Sequence, residues 1–259
     1  MNIAIIGAGN VAWHIAQALQ AAGHTISVIY SRTPEHREAL ASKLPQASAI
    51  STLDLRNAGA DVVLVAVPDK ALAAVAAEIK VKPATVVAHT SGSQPLDVLA
   101  SVGGAAVGVF YPLQTFSKSK PVDFAQVPML VEAQDEATLQ LLERLAQSIS
   151  TSVEVVGSGA RKQLHLAAVF ACNFTNHLLG ISQQLLQEAN LPNQLLQPLL
   201  QETIAKATQQ PPFTVQTGPA IRHDENVIQA HLLMLQQQPQ WQEIYRLLTQ
   251  SIQATAKSA

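Results

Sequence analysis

The strongest constraint on the fold lies in the first thirty or so residues. Ile3-Ala4-Ile5-Ile6 is short and wholly apolar, the pattern of a parallel strand buried on both faces, and it meets Gly7-Ala8-Gly9 without a polar linker. After the glycines, Val11, Ile15, Ala16 and Leu19 recur at helical spacing as far as Gly23, a fitting residue just past a helix end. A second apolar strand follows over residues 25–30. The unit is strand, glycine turn, helix, strand.

A phosphate-bearing ligand explains the glycines. Gly7 permits the tight turn, Gly9 lets the backbone approach a pyrophosphate, and Ala12 fills the third position of G-x-G-x-x-G/A, where a small residue lets helix and strand pack. Gly7, Ala8, Gly9, Asn10 and Val11 are therefore the expected phosphate-binding residues, against the plainer reading of a structural turn. The end of the second strand selects the nucleotide. NAD-binding versions carry Asp or Glu there for the ribose 2′-hydroxyl, whereas this chain reads Tyr30-Ser31-Arg32-Thr33. Arg32, with the hydroxyls of Ser31 and Thr33, suits a 2′-phosphate, the alternative being a solvated loop arginine. The expected cofactor is NADP(H).

Composition excludes several partners. The chain has 259 residues, enough for two domains, with 13% charged and 48% apolar residues. With a net charge of -2 and no dense basic cluster, it lacks the electrostatic footprint of a nucleic-acid or anionic-membrane binder. The first strand begins within two residues of Met1, and no apolar run approaches the ~18 residues of a membrane span, so a cytoplasmic protein is expected. The single Cys172 allows neither an internal disulfide nor a metal-ligand pair and reads as a small helical hydrophobe; no metal is expected.

The alternation of strands and helices continues. A helix over residues 34–43 opens on Pro34, and residues 61–67 are the strongest buried strand, bringing Val67 and Pro68 to the cofactor edge; Asp69 is expected to cap the next helix. The strand at 85–88 ends in His89-Thr90-Ser91-Gly92-Ser93, small polar residues at the sheet edge where this architecture places chemistry. His89, Ser91 and Gly92 are thus candidates for contact with nicotinamide or substrate, while capping by Ser91 and a satisfied core histidine are the structural alternatives. A helix is expected from Pro95, and a strand at 105–110 delivers residues 111–116 to the same edge, the alternative being a loop with Tyr111 and Phe116 packed down. Strands at 129–132 and 151–155 and a helix at 135–148 complete a doubly wound α/β domain, residues 1–157.

Residues 158–259 show no strand pattern and are expected to form an all-helical domain for substrate binding and dimerisation. In a helix over residues 160–190, Lys162, His165, Val169, Asn173, Asn176 and Gly180 fall in a stripe about 80° wide at ~100° per residue. An apolar helix with one such seam is expected to be buried, its seam facing a cleft against the nucleotide domain. Lys162 or His165 is then the candidate proton donor and Asn173 the group that binds the substrate oxygen; a structural seam bonded to another helix or to a symmetry mate is the alternative. A second helical stretch, residues 192–210, is expected to break at Pro198. Beyond it, Arg222 is a candidate carboxylate clamp, and Asp224 is expected to cap a helix over 225–235.

Taken together, Gly7-x-Gly9-Asn10-Val11-Ala12, Ser31-Arg32-Thr33, His89-Thr90-Ser91-Gly92-Ser93, Tyr111-Pro112-Leu113-Gln114-Thr115, His165 to Phe170 with Asn173, and Thr217-Gly218-Pro219-x-x-Arg222-x-Asp224 resemble one bacterial family. It pairs a Rossmann-like NADP-binding domain with a helical C-terminal domain of unknown function, and its fold relatives include pyrroline-5-carboxylate reductase, ketopantoate reductase and 6-phosphogluconate dehydrogenase. The resemblance spans nearly the whole chain and implies a homodimer formed through the helical domain. It does not carry over the lysine and asparagine, one helical turn apart, of the β-hydroxyacid dehydrogenases: four residues beyond Lys162 stands Leu166. The expected activity is hydride transfer between NADP(H) and a small carbonyl, imine or hydroxy compound bound between the domains. The competing classes are a non-catalytic NADP-binding sensor or scaffold and, more distantly, a Rossmann methyltransferase.

Overall fold

The computed structural model describes residues 1–256; residues 257–259, the end of the expected helical region, lie outside the described residues. By its internal contacts the chain divides into two compact units, Met1–Cys172 and Asn173–Ala259.

The first unit is an eight-stranded sheet of order β3-β2-β1-β4-β5-β6-β7-β8. Its strands are β1 (Asn2–Ile6), β2 (Thr25–Tyr30), β3 (Ser48–Ile50), β4 (Val62–Val65), β5 (Val86–His89), β6 (Ala106–Pro112), β7 (Met129–Ala133) and β8 (Val153–Val155). All neighbours pair in parallel except β6 with β7. The helices are α1 (Asn10–Ala21), α2 (Pro34–Ala41), α3 (Asp69–Glu78) and α4 (Glu136–Gln147).

Alternation along each strand builds the two cores. Ile3, Ile5, Val62, Leu64, Val86 and Ala88 face one layer with Ala12, Ile15, Ala16 and Leu19 of α1 and Leu142, Leu145 and Ala146 of α4. Ala4, Ile6, Val63, Val65 and Val87 face the other with Leu72 and Ala76 of α3. Because both faces are covered, β4 is buried at every position, as its unbroken Val-Val-Leu-Val run requires. Each such side chain contributes about 1.5–3 kcal/mol relative to exposure.

Several local expectations are corrected. Strand β3 is an added edge strand: its three residues are exposed or half-buried, so no apolar run marks it. After Pro95 only a single 3-10 turn forms, Leu96–Leu99. Strand β6 runs on to Pro112, so Tyr111 belongs to a strand rather than a loop. Asp69 does not cap α3; Pro68 holds that position, and the Asp69 carboxylate accepts instead from the Ser93 hydroxyl.

The C-terminal half contains α5 (Ser158–Ala168), a π-helical segment Val169–Phe174, α6 (Thr175–Glu188), α7 (Gln197–Gln209), α8 (Glu225–Met234) and α9 (Pro239–Ala256). Pro198 stands in the first turn of α7 and does not interrupt it, because a helix's first turn has no N–H bond for proline to break. The Asp224 side chain caps α8, accepting from Val227 N at 3.4 Å.

Ser158–Glu188 is one 31-residue helix, and within the single chain it is largely exposed rather than buried as expected. Leu166, Phe170 and Phe174 are 53%, 62% and 50% exposed, and Arg161 is the one buried residue of α5. The helix is also long and apolar enough, with a mean hydropathy of 1.3 over its best window, to cross a membrane by length and composition alone. Interspersed polar residues conceal this from a search for unbroken apolar runs. The projected polar seam assumes α-helix throughout; a π turn accommodates an extra residue, so a wheel drawn at ~100° per residue loses its phase between Val169 and Phe174.

Candidate active site

The carboxyl ends of β1, β2 and β4 form the nucleotide end of the sheet. Gly7 has φ +119°, and a Cβ on it would lie 2.2 Å from the Ala66 carbonyl oxygen, so only glycine fits where β1 leaves the sheet beside the end of β4. A Cβ on Gly9 would meet no protein atom within 4 Å. The protein's own packing therefore does not demand that second glycine, in keeping with close approach of a ligand to the backbone. Helix α1 begins here with neither a side-chain cap nor an acidic residue in its first turn, which leaves its N–H groups and dipole to an anion.

A cavity of about 240 Å³ adjoins this turn. Gly7, Ala8 and Gly9 line one side, Ser31, Arg32 and Thr33 another, and Val67 and Pro68 a third, so these eight expected cofactor residues are brought together. Asn10 and Val11 are not among its lining: the Asn10 amide donates to Phe116 O at 2.9 Å, and Val11 packs against the core. His36, which carries no signal of this role in the sequence, lines the same cavity. Arg37 does not; its Nη1 donates to Ser31 O at 2.9 Å and steadies the turn that presents Arg32. The residues fit a 2′-phosphorylated dinucleotide, because an arginine and two hydroxyls stand where an NAD site would set a carboxylate. A wider surface cleft of about 660 Å³ lies between Trp13 and Gln17 of α1 and the segment from Lys118 to Phe124, on the flank of the sheet rather than at its strand ends.

At the ends of β5 and β6 a second group of residues converges. The Tyr111 hydroxyl lies 3.2 Å from His165 Nδ1, with the two rings edge to face at 72°. Gly92 lies directly against both: a Cβ there would be 2.7 Å from His165 Nδ1 and 2.7 Å from Tyr111 Cζ. Burial raises the Tyr111 phenol above its ordinary value, and the nearby Asp69 carboxylate adds to this; the Arg161 charge opposes it. The phenol is therefore protonated at neutral pH and can give up its proton to an anion forming beside it.

His89 serves the loop. Its ring is fully buried, Nδ1 accepts from Ser91 N at 3.1 Å, and Nε2 lies 3.2 Å from Pro95 O. Both nitrogens are thus engaged with backbone, and burial, assisted by the Arg161 charge, lowers its pKa to about 4, so the ring is neutral. The Ser91 hydroxyl accepts from Ser93 N at 3.2 Å and Gln94 N at 3.1 Å, which closes the turn that carries Gly92.

Arg161, which nothing in the local sequence marks, is central to this region. Its side chain is fully buried, paired to Glu132 of β7, and donates from Nη2 to Gln94 O at 2.7 Å and to Ser158 Oγ at 3.1 Å. Burial pushes the Glu132 carboxyl up, but hydrogen bonds from Arg161 and Ser158 outweigh it and hold the group below its ordinary value. Lys162, the neighbouring candidate, is exposed. Asn173 lies in the π-helical segment and is exposed; Arg222 is exposed in the second unit, next to His223, whose φ is +53°. Among the described residues no cluster of His, Cys, Asp or Glu could hold a metal.

Comparison with known proteins supports the nucleotide-binding character of the N-terminal region. Residues 2–92 match the family described as NADP oxidoreductase, coenzyme F420-dependent, and residues 127–252 match a domain of unknown function, DUF2520. A Bacteroides fragilis protein classed as an NADP oxidoreductase is 41% identical, with 98% of each chain covered and a TM-score of 0.90. Pyrroline-5-carboxylate reductase from Streptococcus pyogenes is 17% identical over 100% of this chain and 99% of its own, with a TM-score of 0.63. A reductive aminase from Aspergillus terreus, solved with NADPH and ethyl levulinate, is 16% identical over 100% and 94%, with a TM-score of 0.67. The last two show the fold alone. No curated protein is matched by the chain. The chain belongs to the NADP oxidoreductase family in which a Rossmann-like NADP-binding region is followed by a DUF2520 domain.

Proposed function

We propose that this protein reduces a small carbonyl or imine with NADPH, or runs the reverse oxidation, and that Tyr111 and His165 are its proton donor. The observation that carries the reading is the 3.2 Å contact between the Tyr111 hydroxyl and His165 Nδ1 at the strand ends, on the same sheet edge as the Arg32 cavity. NADPH, when bound, supplies the hydride to the electrophilic carbon. The phenol protonates the oxygen or nitrogen that gains the electron pair, and His165 replaces the proton on the phenol. His89 and Ser91 hold the loop against which both rings rest. Lys162, exposed beside this group, is an accessory candidate, and Asn173 and Arg222 are candidate substrate contacts. The test is a panel of keto acids, aldehydes and cyclic imines screened for NADPH oxidation, repeated with Tyr111→Phe, His165→Gln, Lys162→Ala, Asn173→Ala and Arg222→Ala. Oxidation that is insensitive to the first two variants would remove the donor assignment.

The same reading includes a homodimer formed through the helical unit. Among its described residues, Ala220, Ile228 and Leu235 are the only buried apolar side chains, while Leu199, Phe213, Leu233 and Met234 are 61%, 71%, 65% and 76% exposed. A unit with so small a core gains stability by covering that surface, and a second copy of the chain is the proposed cover.

A further inference from the structure

We propose that Arg161 is a positioning residue: through its pairing with Glu132 and its bond to the Gln94 carbonyl, it locks the His89-to-Leu96 loop beneath Tyr111 and His165 and so fixes the geometry of the proton donor. The inference rests on the donor reading above, but its test does not depend on turnover.

Three separate pieces of chain meet at this guanidinium. Arg161 itself lies in α5, four residues before His165, so the two side chains leave the same side of the helix one turn apart. Its Nη1 pairs with Glu132 on β7, and its Nη2 donates to Gln94 O at 2.7 Å on the loop after β5. Ser158 completes the junction. Its hydroxyl donates to Glu132 at 2.8 Å and accepts from Leu96 N at 3.0 Å, while its backbone N–H donates to Glu132 Oε1 at 3.0 Å. Gly92 is two residues from Gln94 in a turn closed by the Ser91 hydroxyl, and Gly92 touches both donor rings. A shift of Gln94 is therefore passed to the surface on which Tyr111 and His165 sit.

Stability alone does not explain an arginine here. A buried ion pair is often replaceable by apolar side chains of similar volume without loss, whereas removing one partner strands a charge. What an apolar pair cannot do is hold the Gln94 carbonyl. Nor can lysine do all of it: a planar fork with several fixed donors spans a carboxylate and a carbonyl together, which a single ammonium does not.

The test is ring-nitrogen NMR of ¹⁵N-histidine-labelled protein. The His165 signal is identified by its loss in His165→Gln, and Tyr111→Phe marks its position without the phenol contact. In the double variant Arg161→Met/Glu132→Leu, which removes both charges together, we expect cooperative unfolding to persist and NADPH affinity to stay at the wild-type value. The His165 nitrogen shift should nevertheless move at least halfway to the Tyr111→Phe position. A folded double variant whose His165 signal is that of the wild type overturns the proposal. If that variant does not fold, Arg161→Lys gives the second reading, with the same displacement expected and an unmoved signal equally fatal. A displaced signal combined with wild-type turnover in Tyr111→Phe would leave the positioning role standing and remove the donor assignment instead.

Discussion

Gly92 and His165 approach so closely that a single methyl group added at Gly92 would lie 2.7 Å from His165 Nδ1. Tyr111 crowds the same point, with its oxygen 2.8 Å from that position. The glycine is thus required by the side chains above it, not by an unusual backbone angle. Gly92→Ala should force both rings off their contact and destabilise the fold by roughly 1–3 kcal/mol, the usual cost of overpacking. Measured after temperature is adjusted so that both proteins are folded, kcat should fall while NADPH affinity holds. A variant with wild-type kcat would show that the ring contact is dispensable.

Arg32 supplies the selectivity between cofactors. Arg32→Ala should weaken NADPH binding about tenfold or more, the range of a charge-assisted hydrogen bond of ~1.5–3 kcal/mol, and leave NADH binding nearly unchanged. Fluorescence titration with each cofactor reads the difference directly. Equal losses for both would mean that Arg32 shapes the loop rather than contacting the 2′-phosphate.

His89 makes stability depend on pH in a definite direction. Its folded pKa is depressed from 6.5 to about 4, so the unfolded chain takes up a proton first as pH falls. The stabilisation is fully present above pH 6.5 and is lost as pH drops toward about 4, by up to roughly 3 kcal/mol over that window. Chemical denaturation at a series of pH values should show this slope, and His89→Gln should be less stable at neutral pH but flatter below it. A wild-type profile that is level across the window would contradict the burial of a neutral ring.

The helical unit should associate through its exposed apolar side chains. Sedimentation equilibrium is expected to give a dimer for the wild type, and Phe213→Glu combined with Met234→Glu is expected to shift it to monomer. A wild-type monomer at micromolar concentration would remove the dimer from the account.

What the chain discloses in advance is governed by range. Ile3 to Ile6 and Val62 to Val65 carry their burial in unbroken apolar runs, so the central strands and the Gly7 turn are legible without a structure. The Arg32 cavity follows from them, since the end of β2 must lie beside the glycine turn. Strand β3, exposed and three residues long, has no such signature. Arg161 is hidden for a different reason. In Ser158-Gly-Ala-Arg-Lys162 it reads like a surface cation, and partners distant in sequence, Glu132 on β7 and the Gln94 carbonyl, make its burial tolerable. His165 is legible as a candidate, but its partner Tyr111 depends on where β6 ends, and element boundaries are set by pairing with β7 rather than by local pattern.

Reduction by NADPH with Tyr111 and His165 giving the proton can be read from single-turnover NADPH oxidation in wild type and Tyr111→Phe. The reaction partner is the best compound from the carbonyl and imine panel. The wild type is expected to oxidise bound NADPH, and the variant to bind it equally well but react roughly 10²- to 10⁴-fold more slowly. Tight NADPH binding with no oxidation by the wild type across the panel, or equal rates in the two proteins, would contradict the account.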